Sequence, residues 1–229
     1  MFYINNYPNA YRNLTPIDIE INNSLNQKNK KIVRFANQGL TFNMPWQIID
    51  VHKSDEQISY EFKNNRTLMI TPNKSWAFEF FANIKNDELS IDKKNDKSLY
   101  IGFKNLEKYI KENNKSDLDL YKEMYKTHPD KLDFLRLPHD ILVDLTLLIM
   151  KSTDALGMEN IYYFDNSTKK GIIQKSDSHY SIHLLNAEET NYIFIDIANF
   201  TEDNKPNEDG DPIDFNDVLY ILDSIKFTD

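Results

Sequence analysis

The sequence predicts an α+β fold: a largely antiparallel sheet, or sheets, packed on a buried central helix, with an amphipathic helix at the C-terminus. Three observations carry this expectation. Short stretches that alternate apolar and polar residues, the period of a strand, fill residues 31–81 and 161–197. A block of helical spacing, about 103–155, lies between them, and the stripe Phe215, Val218, Leu219, Leu222 and Ile225 closes the chain. Strands, then helices, then strands, then one helix is the order of an α+β chain and not of a βαβ repeat.

Residues 1–30 are polar and aperiodic, with Pro8 and Pro16 and an Asn cluster at 22–26, and read as an N-terminal extension. Residues 31–229 then form one α+β domain with the helical segment inserted at about 103–155. Ile32–Phe35 is a first strand, and the turn 37–39 leads to Leu40 and Phe42. Ile58, Tyr60 and Phe62 share one face of a strand over 57–63. Asn64-Asn65 turns the chain, because Asn tolerates positive φ, and Thr67–Thr71 returns antiparallel. Trp76–Phe81 is expected as a further strand.

The helical block opens with Phe103, Leu106, Tyr109 and Ile110. Ser116-x-x-Asp119 has the form of a capping box, and the stripe Leu118, Tyr121, Met124 and Tyr125 follows until His128-Pro129-Asp130 breaks it. Pro138 suits the first turn of the next helix and Gly157 lies just past its end. That helix is apolar nearly all round, leaving only a narrow polar stripe of Asp140, Asp144 and Lys151, an edge facing water, so it is expected at the centre of the core. Strands at 161–164, 171–174, 180–185 and 192–197 follow. An acidic loop, 201–211, precedes a last helix with Asp214 as N-cap and Asp217 in its first turn.

Composition narrows the chemistry. The chain of 229 residues has no Cys, which excludes disulfides, thiol catalysis and cysteine zinc sites. A net charge of −9 argues against nucleic acid and for a basic partner. The longest apolar run, 141–150, is too short to span a bilayer, and residues 1–14 lack the apolar core of a signal peptide. A cytoplasmic location is expected, or a periplasmic one for a chain that has lost its leader.

Several stretches carry a resemblance. Gly39-Leu40-Thr41-Phe42 through Pro45-Trp46, Asp119-Leu120-Tyr121-Lys122, Asp130-Lys131-Leu132-Asp133-Phe134, Leu147-Leu148-Ile149-Met150-Lys151 and the close Val218–Phe227 resemble a family of bacterial proteins without assigned activity. The ending is also similar to the last helix of sandwich domains of the Mog1/PsbP type. The resemblance implies an α+β sandwich over about 31–229 and brings no catalytic residues with it.

No chemical motif stands out. The five glycines are isolated, so no phosphate-cradling loop is present, and neither a G-x-S-x-G elbow nor H-E-x-x-H occurs. His179 and His183 stand four apart on an alternating segment, about 13 Å between Cα atoms in a strand, too far for one ion. They read as two surface histidines. The acidic loop fails as an EF-hand, since Lys205 and Asn216 fall at two ligand positions. Catalytic residues, a metal and a cofactor are therefore not expected.

The remaining expectation is a non-enzymatic protein-binding protein, in its concrete form an immunity-type or accessory protein neutralising a basic effector. Asp203, Glu208, Asp209, Asp211 and Trp46 are the expected contact residues. Two alternatives stand beside it: a small-ligand-binding or lipoprotein-like domain, and a hydrolase using His179 or His183.

Overall fold

The computed structural model describes residues 14–21, 32–35, 39–63, 65–72, 76–85, 97–132, 138–155, 157–177, 179–199 and 212–228. The strands are β1 (Ile17–Asp18), β2 (Ile32–Phe35), β3 (Leu40–Asn43), β4 (Ile48–Lys53), β5 (Ile58–Phe62), β6 (Arg66–Thr71), β7 (Asn160–Asp165), β8 (Lys169–Lys175), β9 (His179–Asn186), β10 (Tyr192–Asn199) and β11 (Lys226–Phe227). The helices are α1 (Trp76–Lys85), α2 (Lys97–Asn113), α3 (Asp117–Lys126), α4 (Pro138–Asp154) and α5 (Phe215–Ser224). The protein is thus of mixed α+β structure. The chain divides into two units. One contains Ser75–Gly157 and the chain up to Pro16; the other contains Ile17–Lys74 and Met158–Asp229. Among the described residues, no helix is long and apolar enough to cross a membrane.

The sheet unit holds an eight-stranded sheet in the order β1-β7-β8-β9-β10-β6-β5-β4 and a small sheet in the order β11-β3-β2. All pairings are antiparallel except β1 with β7. Two residues of the stretch expected as an extension, Ile17 and Asp18, therefore belong to the large sheet. Cross-strand register aligns Ile58, Ile70, Ile195, Ile182 and Ile173 in one row over five strands. β-branched side chains pack well against cross-strand neighbours of their own kind. The small sheet and α5 cover this row, adding Leu40, Phe42, Val218, Ile221 and Leu222 to one apolar core. Asp214 caps α5 by accepting from the Asn216 N–H.

β8 and β9 are buried along nearly their whole length, as strands covered on both faces are. Gly171 is the tightest point. A Cβ there would stand 2.0 Å from the His183 carbonyl oxygen and 2.7 Å from the Phe164 ring. Gly171→Ala is expected to cost about 2 kcal/mol by overpacking, read as a lowered midpoint in thermal unfolding.

In the helical unit, α2 packs on α4, and α3 packs on both α4 and α1. The helix expected at the centre, α4, buries Val143, Leu147, Leu148 and Met150 here. The capping box of α3 is formed: Ser116 Oγ accepts from Asp119 N–H and Asp119 reaches back to Ser116 N–H. Gly157 has φ +76°, as a residue just past a helix end often does.

Two expectations are corrected in this unit. Trp76–Phe81 is helical, within α1, and not a strand. Its aromatic run fits either period, but Phe78 and Phe81, three apart, are both fully buried and Glu79 between them is exposed. Lys151 is not on a wet edge: it is 1% exposed. Its ammonium donates to the carbonyls of Tyr125 at 3.0 Å and Thr127 at 2.9 Å, at the end of α3, where a helix has unpaired carbonyls and a negative pole. Asp154 accepts from both the Tyr121 and Tyr125 hydroxyls beside it.

Candidate functional site

The face of the large sheet opposite the isoleucine row carries its polar groups. Gln174, Ser181 and Asp196 align across β8, β9 and β10, and His183 stands one step along, between Ile172 and Phe194. Ser181 donates to Asp196 Oδ1 at 2.6 Å. Burial pushes the Asp196 carboxyl up, against the Ser181 hydrogen bond and the nearby His179, which lower it.

His183 is 1% exposed, which corrects its reading as a surface histidine. The physical reason is that β9 is covered on both faces, so alternation along it does not mark a wet side. Its Nε2 donates to Gln174 Oε1 at 3.1 Å and its Nδ1 accepts from the Tyr192 hydroxyl at 2.8 Å. Burial pushes its pKa down to about 3, so it is neutral at pH 7.

This array does not activate a nucleophile. A nucleophile needs a base bonded to it, and that base needs an orienting group. Ser181 is bonded to a carboxylate and not to an imidazole. His179 shares a hydrogen bond with Ser176, within the β8–β9 turn. A carboxylate bonded to that imidazole is missing among the described residues. The polar row instead ties three buried strands together.

Two surface hollows have the size of ligand sites. One, about 200 Å³, lies in the helical unit and is lined by Tyr109, Glu123, Lys126, Asp140 and Asp144. Asp144, notable in the sequence for sitting in an apolar helix, is half-buried there. Glu123 is already held by the Tyr109 hydroxyl at 3.0 Å and by Lys115 at 2.5 Å. The other, about 450 Å³, lies in the sheet unit between Gly39, Lys53–Asp55, Pro72 and Asn191. Neither contains His179 or His183.

The exposed chemistry lies at one end of the large sheet. β4 is its edge strand, and five of its six residues are exposed. Ile49 and Val51 are, among the described residues, two of the few large apolar side chains in water, 63% and 37% exposed. Between and beside them stand Asp50, His52 and, on β5, Glu61. One ligand atom from each of these three lies within 4.8 Å of the others, a group able to hold a metal ion. The sequence did not announce β4 as a strand or these residues as a cluster. The only hint was the Asp50-x-His52 spacing, which puts two ligating side chains on one face of a strand.

Of the expected contact residues, Asp203, Glu208, Asp209 and Asp211 lie outside the described residues. Trp46 is half-buried between β3 and β4. Its indole N–H donates to Asp217 Oδ2 at 2.7 Å, its ring meets Phe62 edge-on at 5.3 Å, and the Arg66 guanidinium stands 5.2 Å from its centre. The indole thus fastens the end of β3 to the first turn of α5.

Comparison of the chain with known protein families, with curated proteins and with solved structures finds no match.

Proposed function

We propose that the protein acts by binding another protein, and that the partner docks along β4. The observation that supports this is an exposed edge strand bearing Ile49 and Val51. An edge offers unpaired main-chain groups to an incoming strand, and natural proteins usually blunt such edges with lysines or prolines. Here Lys53 ends the strand, and the edge before it still carries two bare aliphatic side chains. The partner is a basic protein: the chain has a net charge of −9, and Asp50, Asp55, Glu56 and Glu61 cluster on and beside this hairpin. Neutralisation of a basic effector is the role that fits these properties.

The test is affinity capture from a lysate of the source cell at low salt, with the wild type and an Ile49→Lys/Val51→Lys variant in parallel. The expected result is one stoichiometric basic protein, released by moderate salt and retained at least about tenfold less by the variant, a loss of about 1.4 kcal/mol. Equal retention by the two proteins would sink the assignment to β4. A parallel variant neutralising Asp203, Glu208, Asp209 and Asp211 measures what the acidic loop adds.

A further inference from the structure

We infer that Asp50, His52 and Glu61 form a surface site for a single divalent ion of the zinc class. The inference stands apart from the docking role of β4, because it needs no partner. It begins with the register. Ile48 pairs with Phe62 while Asp50 pairs with Glu61, so Ile49 is an extra residue, a bulge in β4. In an unbroken register Asp50 would oppose Tyr60, and His52 would oppose Ile58. Both would then stand on the face where Tyr60 and Ile58 are buried. The bulge turns both side chains to the opposite face, beside Glu61, which is the kind of re-aiming that bulges provide.

The resulting geometry is close to a coordination shell. His52 Nε2 lies 3.0 Å from Glu61 Oε1 and 3.7 Å from Asp50 Oδ2. Ligands of a tetrahedral zinc ion, each at about 2.0–2.2 Å, stand about 3.3–3.6 Å from one another. The two observed separations bracket that value, so small side-chain rotations suffice to admit the ion. The Asp50 carboxylate is already oriented: its Oδ1 accepts from the Val51 N–H at 2.7 Å, which leaves Oδ2 towards the imidazole. Outer-shell hydrogen bonds of this kind fix the ligands of metal sites.

The donor set selects the metal. An imidazole with two carboxylates suits zinc, cobalt or nickel; magnesium and calcium prefer oxygen alone. Two carboxylates also balance the charge of a divalent ion. Three protein ligands leave a fourth position, which water fills at an exposed site.

The experiment is calorimetric titration of the full chain, free of any histidine tag, with zinc chloride, together with visible spectroscopy of the cobalt(II) form. One equivalent of zinc is expected to bind, and cobalt to give d–d bands of low-coordinate intensity. His52→Ala and Glu61→Gln should each weaken binding at least about tenfold, the scale on which even outer-shell partners act. His179→Ala should leave it unchanged. The cluster is exposed, and circular dichroism of each variant verifies its fold. Absence of binding to the wild type overturns the site, as does wild-type affinity in His52→Ala, which would place the ion elsewhere.

Discussion

Replacing Lys169 by Met will destabilise the sheet unit by about 4 kcal/mol, more than any surface substitution in the protein. Lys169 opens β8 and is 3% exposed. Its ammonium donates to the carbonyl of Leu222, to that of Asp223 at 2.7 Å and to that of Ile225 at 2.9 Å. These carbonyls stand at the end of α5 and at its C-cap, Ile225; that of Leu222 also accepts from the Ile225 N–H at 3.2 Å, and the negative pole of the helix adds to their pull on a cation. Burial pushes the Lys169 pKa down to about 8, with Asp223 acting in the opposite direction, so the group is charged at neutral pH. Met matches the length and apolar stem of Lys but takes the ammonium away from all three carbonyls, and each buried carbonyl that loses its charged donor costs about 1–3 kcal/mol. The neighbouring Lys170 is the control. It makes a 2.8 Å ion pair with Glu189 near the surface, and Lys170→Met should cost less than about 1 kcal/mol. Urea denaturation of both variants decides the matter. A Lys169→Met loss below that of Lys170→Met would show that the end of α5 finds other donors.

How far the sequence foretold this structure depended on what each residue had to reveal. Alternation was enough for β5 and β6, because an antiparallel strand with one apolar face writes its period directly, and β7–β10 were marked as strand-like stretches between polar turns. The capping box of α3 and the Asp214 cap of α5 were legible because a cap is a local hydrogen bond between residues two or three apart. β4 was hidden because the bulge at Ile49 breaks the period that would have marked it. The same bulge assembles Asp50, His52 and Glu61, so the candidate metal site was invisible for the reason that it exists. α1 was misread because Phe78, Phe80 and Phe81 satisfy a strand pattern as well as a helical one. The buried cations Lys151 and Lys169 were beyond reach for a different reason. A lysine is normally a mark of solvent, and only the three-dimensional structure brings the end of a helix to each ammonium.

His183 follows the same logic and leads to the second large effect. Between pH 7 and pH 4 the wild type will lose about 3 kcal/mol of stability through this one side chain. Its pKa is about 3 in the folded protein and 6.5 in its ordinary state. Over that window the unfolded chain binds the proton and the folded chain does not, so stability falls as the pH drops. The cause is burial: an imidazolium there would lack water, and its Nδ1 could no longer accept from Tyr192. His183→Gln should be less stable than the wild type at pH 7, since Tyr192 and Gln174 lose a partner, yet its stability should decline less on acidification. The two curves therefore converge towards pH 4. Asp196 works with the opposite sign. Its carboxyl is raised above its ordinary value, so the folded chain takes up that proton first and gains stability as the pH falls. Asp196→Asn should accordingly steepen the acid loss, the reverse of what His183→Gln does. Urea denaturation of the three proteins at pH 7, 5.5 and 4 measures both slopes. Parallel curves for the wild type and His183→Gln would mean that the folded sheet accepts the proton, and that burial does not hold the ring neutral.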